Sequence, residues 1–255
     1  MQNFNLAGRL KAAGIHLGIS VLIAGIMAAL VFGLWYPWPY RSAAGGQALF
    51  LLVMAVDLVL GPTLTFVVFN RSKTKAHLVR DLAVIATLQL SGLGYGLYTV
   101  YLARPVAIVF EVDRFRVVSY ADVQIKELPQ ALPALRTLSI TGPKILGARK
   151  PRTSEERLKA LDMALQGADI SVRPSFWQPY SDSAKDALER ARPLSVLFKQ
   201  YPKHIQEIND AVLKTGRGAD KLKFLPLSAR NTNWSVLIDA GTGMIVGFVP
   251  YDGFF

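Results

Sequence analysis

The side chains with catalytic or metal-binding potential are few and far apart. His16, His77 and His204 fall at the start of an apolar run, in a basic linker and in a polar helical segment. That separation predicts neither a shared metal site nor an acid–base pair. Cysteine is absent, which removes thiolate ligands, thiol nucleophiles and disulfides. There is no G-x-S-x-G elbow, P-loop, dinucleotide fingerprint or H-E-x-x-H motif, and Gly216-Arg217-Gly218 suits the end of a helix better than a phosphate cradle. Glu155 and Glu156 sit where carboxylates meet the positive end of a helix dipole. Asp113, between two β-branched runs, has the local hydrogen-bonding habit of a turn residue. The expectation is a protein that is not an enzyme and uses no cofactor or metal.

One carboxylate remains, Asp57, and its setting is unusual because it interrupts an apolar run. From Met1 to Leu102 there are seven Lys or Arg against Asp57 and Asp81, whereas the rest of the chain holds 22 basic and 16 acidic residues in an ordinary soluble mixture. The formal charge of +11 divides almost evenly between these parts, with no basic run interleaved with aromatics, so nucleic acid is not an expected partner. The uncharged stretch 15–36 would span roughly 33 Å as a helix, enough to cross a bilayer. It is too long for the apolar core of a signal peptide. Runs over 48–69 and 82–102 have similar length, and the short linkers predict a compact three-helix transmembrane bundle within residues 1–104. The cluster Trp35-Tyr36-Pro37-Trp38-Pro39-Tyr40 reads as an interfacial aromatic belt. Arg9 and Lys11 precede the first run, Arg71, Lys73, Lys75 and Arg80 separate the second from the third, and only Arg41 lies between the first and second. The positive-inside rule then puts the N-terminus in the cytoplasm and the C-terminal domain outside it.

Small residues recur on each predicted span: Gly14, Gly18 and Gly25, then Gly61, then Gly92 and Gly96. They permit close helix approach, either among these three helices or with another protein's transmembrane helix. Asp57, Gly61 and Thr65 share a helical face beside Pro62, and Gln89 shares one with Gly92 and Gly96. Asp57 is expected to bond Gln89, to meet an incoming helix, or to serve proton transport.

Residues 105–255 predict an α+β domain with a mainly antiparallel sheet. Strand signals cover 105–112 and 115–120 around an Asp113-Arg114 turn, then 135–140 and 144–148, and finally 222–229, 234–239 and 244–249, the last two joined by Asp239-Ala240-Gly241-Thr242-Gly243. Thr153 with Glu156 forms a capping-box pattern for a helix ending before Gly167, and further helices cover 183–192 and 202–215. Ser175-Phe176-Trp177-Gln178-Pro179-Tyr180 predicts an aromatic loop that caps the core or meets a partner.

In order along the chain, Leu34-Trp35-Tyr36-Pro37, Val56-Asp57-Leu58-Val59-Leu60-Gly61-Pro62, Asp81-Leu82 with Gln89 and Tyr95-Gly96, Ala103-Arg104-Pro105-Val106 and Val112-Asp113-Arg114-Phe115 resemble the type IV pilin accessory protein family, TfpX/TfpZ. Beyond residue 115 the likeness is diffuse. The resemblance implies a multi-pass protein of a bacterial inner membrane with a periplasmic C-terminal domain. It also implies an accessory or chaperone role in pilin stability or pilus assembly, with type IV pilin and other assembly proteins as partners. On that reading Asp57, Gly61, Pro62, Gln89, Gly92 and Gly96 would meet the pilin helix, and Asp113, Arg114, Phe176 and Trp177 its head. An envelope sensor is the competing class, although the predicted cytoplasmic segments are too short for an output domain; a membrane enzyme or transporter comes third.

Overall fold

A computed structural model describes residues 6–70, 74–230 and 232–255. Its N-terminal elements are α1 (Leu6–Leu30), prolonged by a π-helical turn Val31–Trp35, a short α2 (Tyr40–Ala43), α3 (Gly46–Val68) and α4 (Lys75–Leu102). Three of these helices are long and apolar enough to cross a membrane: α1 with its π turn, α3 and α4. They extend past the apolar runs, so that Arg9, Lys11, Lys75, Arg80 and Asp81 are helical. Arg71 and Lys73, which enter the charge argument, lie outside the described residues. The chain divides into two compact units: one holds the helices up to Trp35 with Gly46–Leu102, the other Tyr36–Gly45 with Ala103–Phe255.

Within the first unit α3 packs against both α1 and α4, which scarcely touch each other. All three helices nonetheless meet around Asp57, where Ile19 and Ile23 of α1 line one cavity with Ala86, Leu90 and Leu93 of α4. Leu22, Leu52, Val59, Leu88 and Leu90 are all more than 60% exposed, an outward apolar surface that only lipid or another helix suits.

The second unit is built on β1 (Pro105–Glu111) and β2 (Arg114–Ser119), followed by β3 (Lys144–Ala148), α5 (Ser154–Leu165), β4 (Trp177–Pro179), α6 (Ala184–Arg190), β5 (Arg192–Pro193), α7 (Leu194–Gln200), α8 (Ile205–Lys214), β6 (Leu222–Ser228), β7 (Trp234–Asp239) and β8 (Ile245–Val249). The strand order is β4-β3-β1-β2-β6-β7-β8, with β5 beside β6. The domain is α+β, but its sheet is mixed, not mainly antiparallel: β1 pairs parallel with β3, and β2 parallel with β6. The central hairpin β1–β2 is antiparallel because a tight turn joins it. Strands that return to it after long crossings are free of that constraint. Pro226, in the middle of β6, sits where the outer neighbour changes from β5 to β2, a place where a missing amide donor is tolerated.

The apolar run of β1 is buried on both faces: Ile108 and Phe110 join one core with Phe115, Val236 and Ile238, while Val106, Ala107 and Val109 join another with Val118, Leu146 and Trp177. A third cluster seats Ile208 and Val212 of α8 on Leu237 and Val249. At the hairpin tip the turn falls one residue earlier than expected, leaving the β-branched Val112 at φ +53°. The expected strand over 135–140 is absent; residues 133–135 form a 3₁₀ turn. Thr153 accepts from the Glu156 amide at 3.0 Å as predicted, but the Glu156 carboxylate turns to the Arg152 amide and to the Arg149 guanidinium, at 2.6 and 3.0 Å. Those bonds hold it at about 2.

Part of the aromatic segment after α1 is core rather than an interfacial belt, although Trp38 stays exposed. Tyr36 is fully buried, Ala43 enters the core beside Ile108, and the Tyr40 ring meets Phe248 edge-on at 5.7 Å. Segment and domain therefore lie on one side of any membrane, and α3 and α4, which separate them in sequence, must both cross or both not. Replacing Tyr36 by Ala is expected to cost the C-terminal unit about 3 kcal/mol through the cavity it leaves. Thermal unfolding of the intact protein in detergent and protease resistance of its C-terminal half will measure this.

Candidate partner-binding site

In α3, Asp57 Oδ1 accepts from Gln89 Nε2 at 2.9 Å, and the Asp57 carbonyl accepts from the same nitrogen at 3.4 Å. The bond depends on Gly61, one turn along: a Cβ there would lie 2.0 Å from Gln89 Nε2, so only glycine lets the amide cross α3. Gly96 does the same for Val53, whose Cγ1 would be 2.3 Å from an added Cβ. Two turns along the same face of α3, buried Thr65 places its hydroxyl 2.5 Å from His16 Nδ1. Both of these polar pairs satisfy groups that hydrocarbon would leave without a partner. His16, expected near the membrane edge, is part of the helix packing.

The remaining glycines behave differently. A Cβ on Gly14, Gly18, Gly25 or Gly92 would meet nothing within 4 Å. Gly92 lies on the wall of an apolar groove of roughly 500 Å³ between α3 and α4, lined by Leu49, Leu52, Val53, Val56, Leu60 and Leu64 from one helix and Leu88, Leu93, Tyr95, Gly96 and Thr99 from the other, with the Asp57–Gln89 pair among the lining groups. Asp57, Gln89, Gly92 and Gly96 thus share one surface. Gly61 and Pro62 do not line it; Gly61 is taken up by Gln89.

In the C-terminal unit the four expected contact residues separate. Asp113 and Arg114 project from the β1–β2 turn, joined to each other at 2.8 Å and roughly half exposed, with the Arg114 guanidinium 5.1 Å from the Phe254 ring. Phe176 and Trp177 are core residues, 1% and 4% exposed, and offer no ring surface to a partner. Arg149 and Arg173 stack on Phe176 at 4.5 and 4.8 Å, each guanidinium held in turn by a carboxylate, Glu156 and Glu127. Trp177 Nε1 donates to the Ser171 carbonyl at 2.8 Å. Of the two roles open to the aromatic loop, the structure selects core-capping.

Sequence reasoning missed a polar cleft of roughly 310 Å³ beside the central hairpin, where Arg114, Arg116 and Arg230 face Glu111, Asp122 and Asp169. Arg116 pairs with Asp169 at 2.5 Å, Arg230 donates to Ser119 Oγ at 3.2 Å, and buried Glu111 accepts from the Ser171 amide at 3.1 Å while burial pushes its carboxyl up. Its charges balance, and alternation along β1 and β2 is the signal that places them on a shared rim.

The contrast between the glycines is open to measurement. Gly61→Val should displace Gln89, leave Asp57 without its partner in hydrocarbon, and lower stability by roughly 1 kcal/mol or more. Gly92→Val should leave thermal stability in detergent unchanged, since nothing in the protein occupies that space.

Comparison with known proteins extends the resemblance seen in residues 34–115. The family model of the fimbrial assembly protein FimB matches residues 4–45, a stretch that includes the Tyr36–Gly45 segment. A fimbrial assembly protein of serogroup I from Dichelobacter nodosus is 39% identical over 231 residues, covering 90% of each chain, and the serogroup E1 protein of that organism matches at the same level. A shorter relative, from serogroups C1 and C2, is 44% identical over 121 residues, covering 48% of this chain and 92% of its own. No solved structure matches. With the alignment running through both units, the chain belongs to the fimbrial assembly protein family.

Proposed function

We propose that this protein is a non-enzymatic helper of type IV pilin in the bacterial inner membrane, holding the pilin's transmembrane helix against α3 and α4 while the C-terminal unit meets the pilin's head in the periplasm. The reading rests on family membership together with one observation: an apolar groove between two spans, with unfilled space at Gly92 and a polar pair on its wall. Close helix packing drives association in lipid, and a glycine wall with no internal neighbour favours it. The Asp57–Gln89 pair can exchange its bond for one to a polar group on the incoming helix at little net cost, because the alternative in hydrocarbon is an unpaired carboxyl. In the C-terminal unit, exposed Asp113 and Arg114 take the role in head contact that Phe176 and Trp177 cannot.

The orientation follows from Arg9, Lys11, Lys75 and Arg80 on the cytoplasmic side. Because the chain has no cysteine, single introduced cysteines report it directly: one at Ser154 should react with a membrane-impermeant maleimide in cells with a permeabilised outer membrane, and one at Ala76 only after lysis.

A photo-crosslinking residue at Leu52 should capture pilin in membranes, and Gly92→Leu should reduce both that adduct and surface pili about tenfold while the variant accumulates normally. Absence of any pilin adduct from the groove, or piliation untouched by Gly92→Leu, would sink the proposal.

A further inference from the structure

The sheet of the C-terminal unit ends at β8, whose inner side pairs antiparallel with β7 from Ser235↔Val249 to Ile238↔Ile245. No strand among the described residues pairs with its outer side. The sequence of β8, Ile245-Val246-Gly247-Phe248-Val249, carries no charge, and a single bulge at Val246 interrupts its pairing with β7. Sheet edges are usually blunted by charge, bulges or cover, since a row of unpaired amides and carbonyls recruits another strand. Here the edge runs along a groove of roughly 420 Å³. On one face α8 borders it through Asp210, Ala211 and Lys214, with Thr215 close enough that a Cβ on Gly247 would lie 3.1 Å from its methyl. On the other face stands Trp38, 63% exposed, from the segment whose Tyr40 packs on Phe248.

This geometry selects its occupant. Unpaired backbone groups call for an extended segment, and walls on both faces leave room for one backbone but obstruct a second copy of this domain, which would bring the same walls to the same seam. The groove holds two carboxylates, Glu207 and Asp210, against the single ammonium of Lys214, so the segment should carry a basic side chain. Exposed Trp38 and half-buried Phe248 offer an apolar side chain a seat.

We propose that β8 accepts an extended segment of the pilin head as an added strand, main-chain bonds supplying affinity and the aromatic and acidic walls supplying selectivity. This rests on pilin being the client, but not on the groove between α3 and α4.

Photo-crosslinking residues at Trp38 and at Lys214, on opposite walls, test it in the full-length protein in membranes with pilin present, with Leu52 as the comparison. Both positions are expected to capture the same short pilin segment, identified by mass spectrometry as one that contains Lys or Arg. Asp210→Lys, an exposed change that should leave protease resistance intact, is expected to lower those adducts about fivefold, the scale of one exposed ion pair, and to leave the Leu52 adduct alone. Adducts between two copies of this chain, or none at Trp38 and Lys214 while Leu52 still captures pilin, would overturn this inference and spare the client assignment. Loss of pilin adducts at all three positions would overturn both.

Discussion

Hydrocarbon offers a polar side chain no water, and that constraint organises the membrane unit around α3. Two polar groups on one of its faces find partners on different helices, Thr65 with His16 on α1 and Asp57 with Gln89 on α4. A helix that must satisfy both belongs where α1 and α4 can each reach it, and residues of all three line the cavity beside Asp57. Gly61 is part of the same solution, since the Gln89 amide can only reach Asp57 across a backbone with no side chain. Glycines that serve no such bond are left facing outward, and the groove beside Gly92 exists because packing inside the chain does not need that space.

The C-terminal unit obeys a complementary rule. Water is abundant there, so charge can be placed generously, yet its buried guanidinium Arg173 is matched by Glu127 and stacked on an aromatic ring. Phe176 between two arginines fixes the loop before β4 as firmly as a strand would. The Asp239 turn is held by bonds from Gly241, Thr242 and Arg217, which keep its carboxylate at about 2 and fix the exit into β8.

Much of this was legible in the sequence, and the reasons are specific. Apolar runs gave the spans because length against bilayer thickness is a one-dimensional test. Thr153 with Glu156 marked α5, and glycines after Asp239 marked the last hairpin, because caps and turns are local. Asp57 and Gln89 could be matched because depth along antiparallel helices is countable. Sheet direction was not legible, since a strand's own residues do not say whether its neighbour runs with or against it. Phe176 and Trp177 looked like contact residues because aromatic rings suit interfaces and cores alike. The short α7 was missed, lacking a cap or a full amphipathic repeat. Tyr36 was misread for a deeper reason: Trp, Tyr and Pro after a span are what the headgroup region favours, and nothing nearby signals that a domain beginning 67 residues later closes over them.

That closure bears on how the chain is made. The segment Tyr36–Gly45 leaves the synthetic machinery first and must wait, with its tyrosines uncovered, until two further spans have inserted and the last strand has emerged. Only then can the domain complete its core, and only if the two intervening spans have both crossed or both not. A copy with one span left behind strands the segment on the wrong side and cannot hide its apolar interior. The fold thus ties completion of its core to a matched topology of α3 and α4.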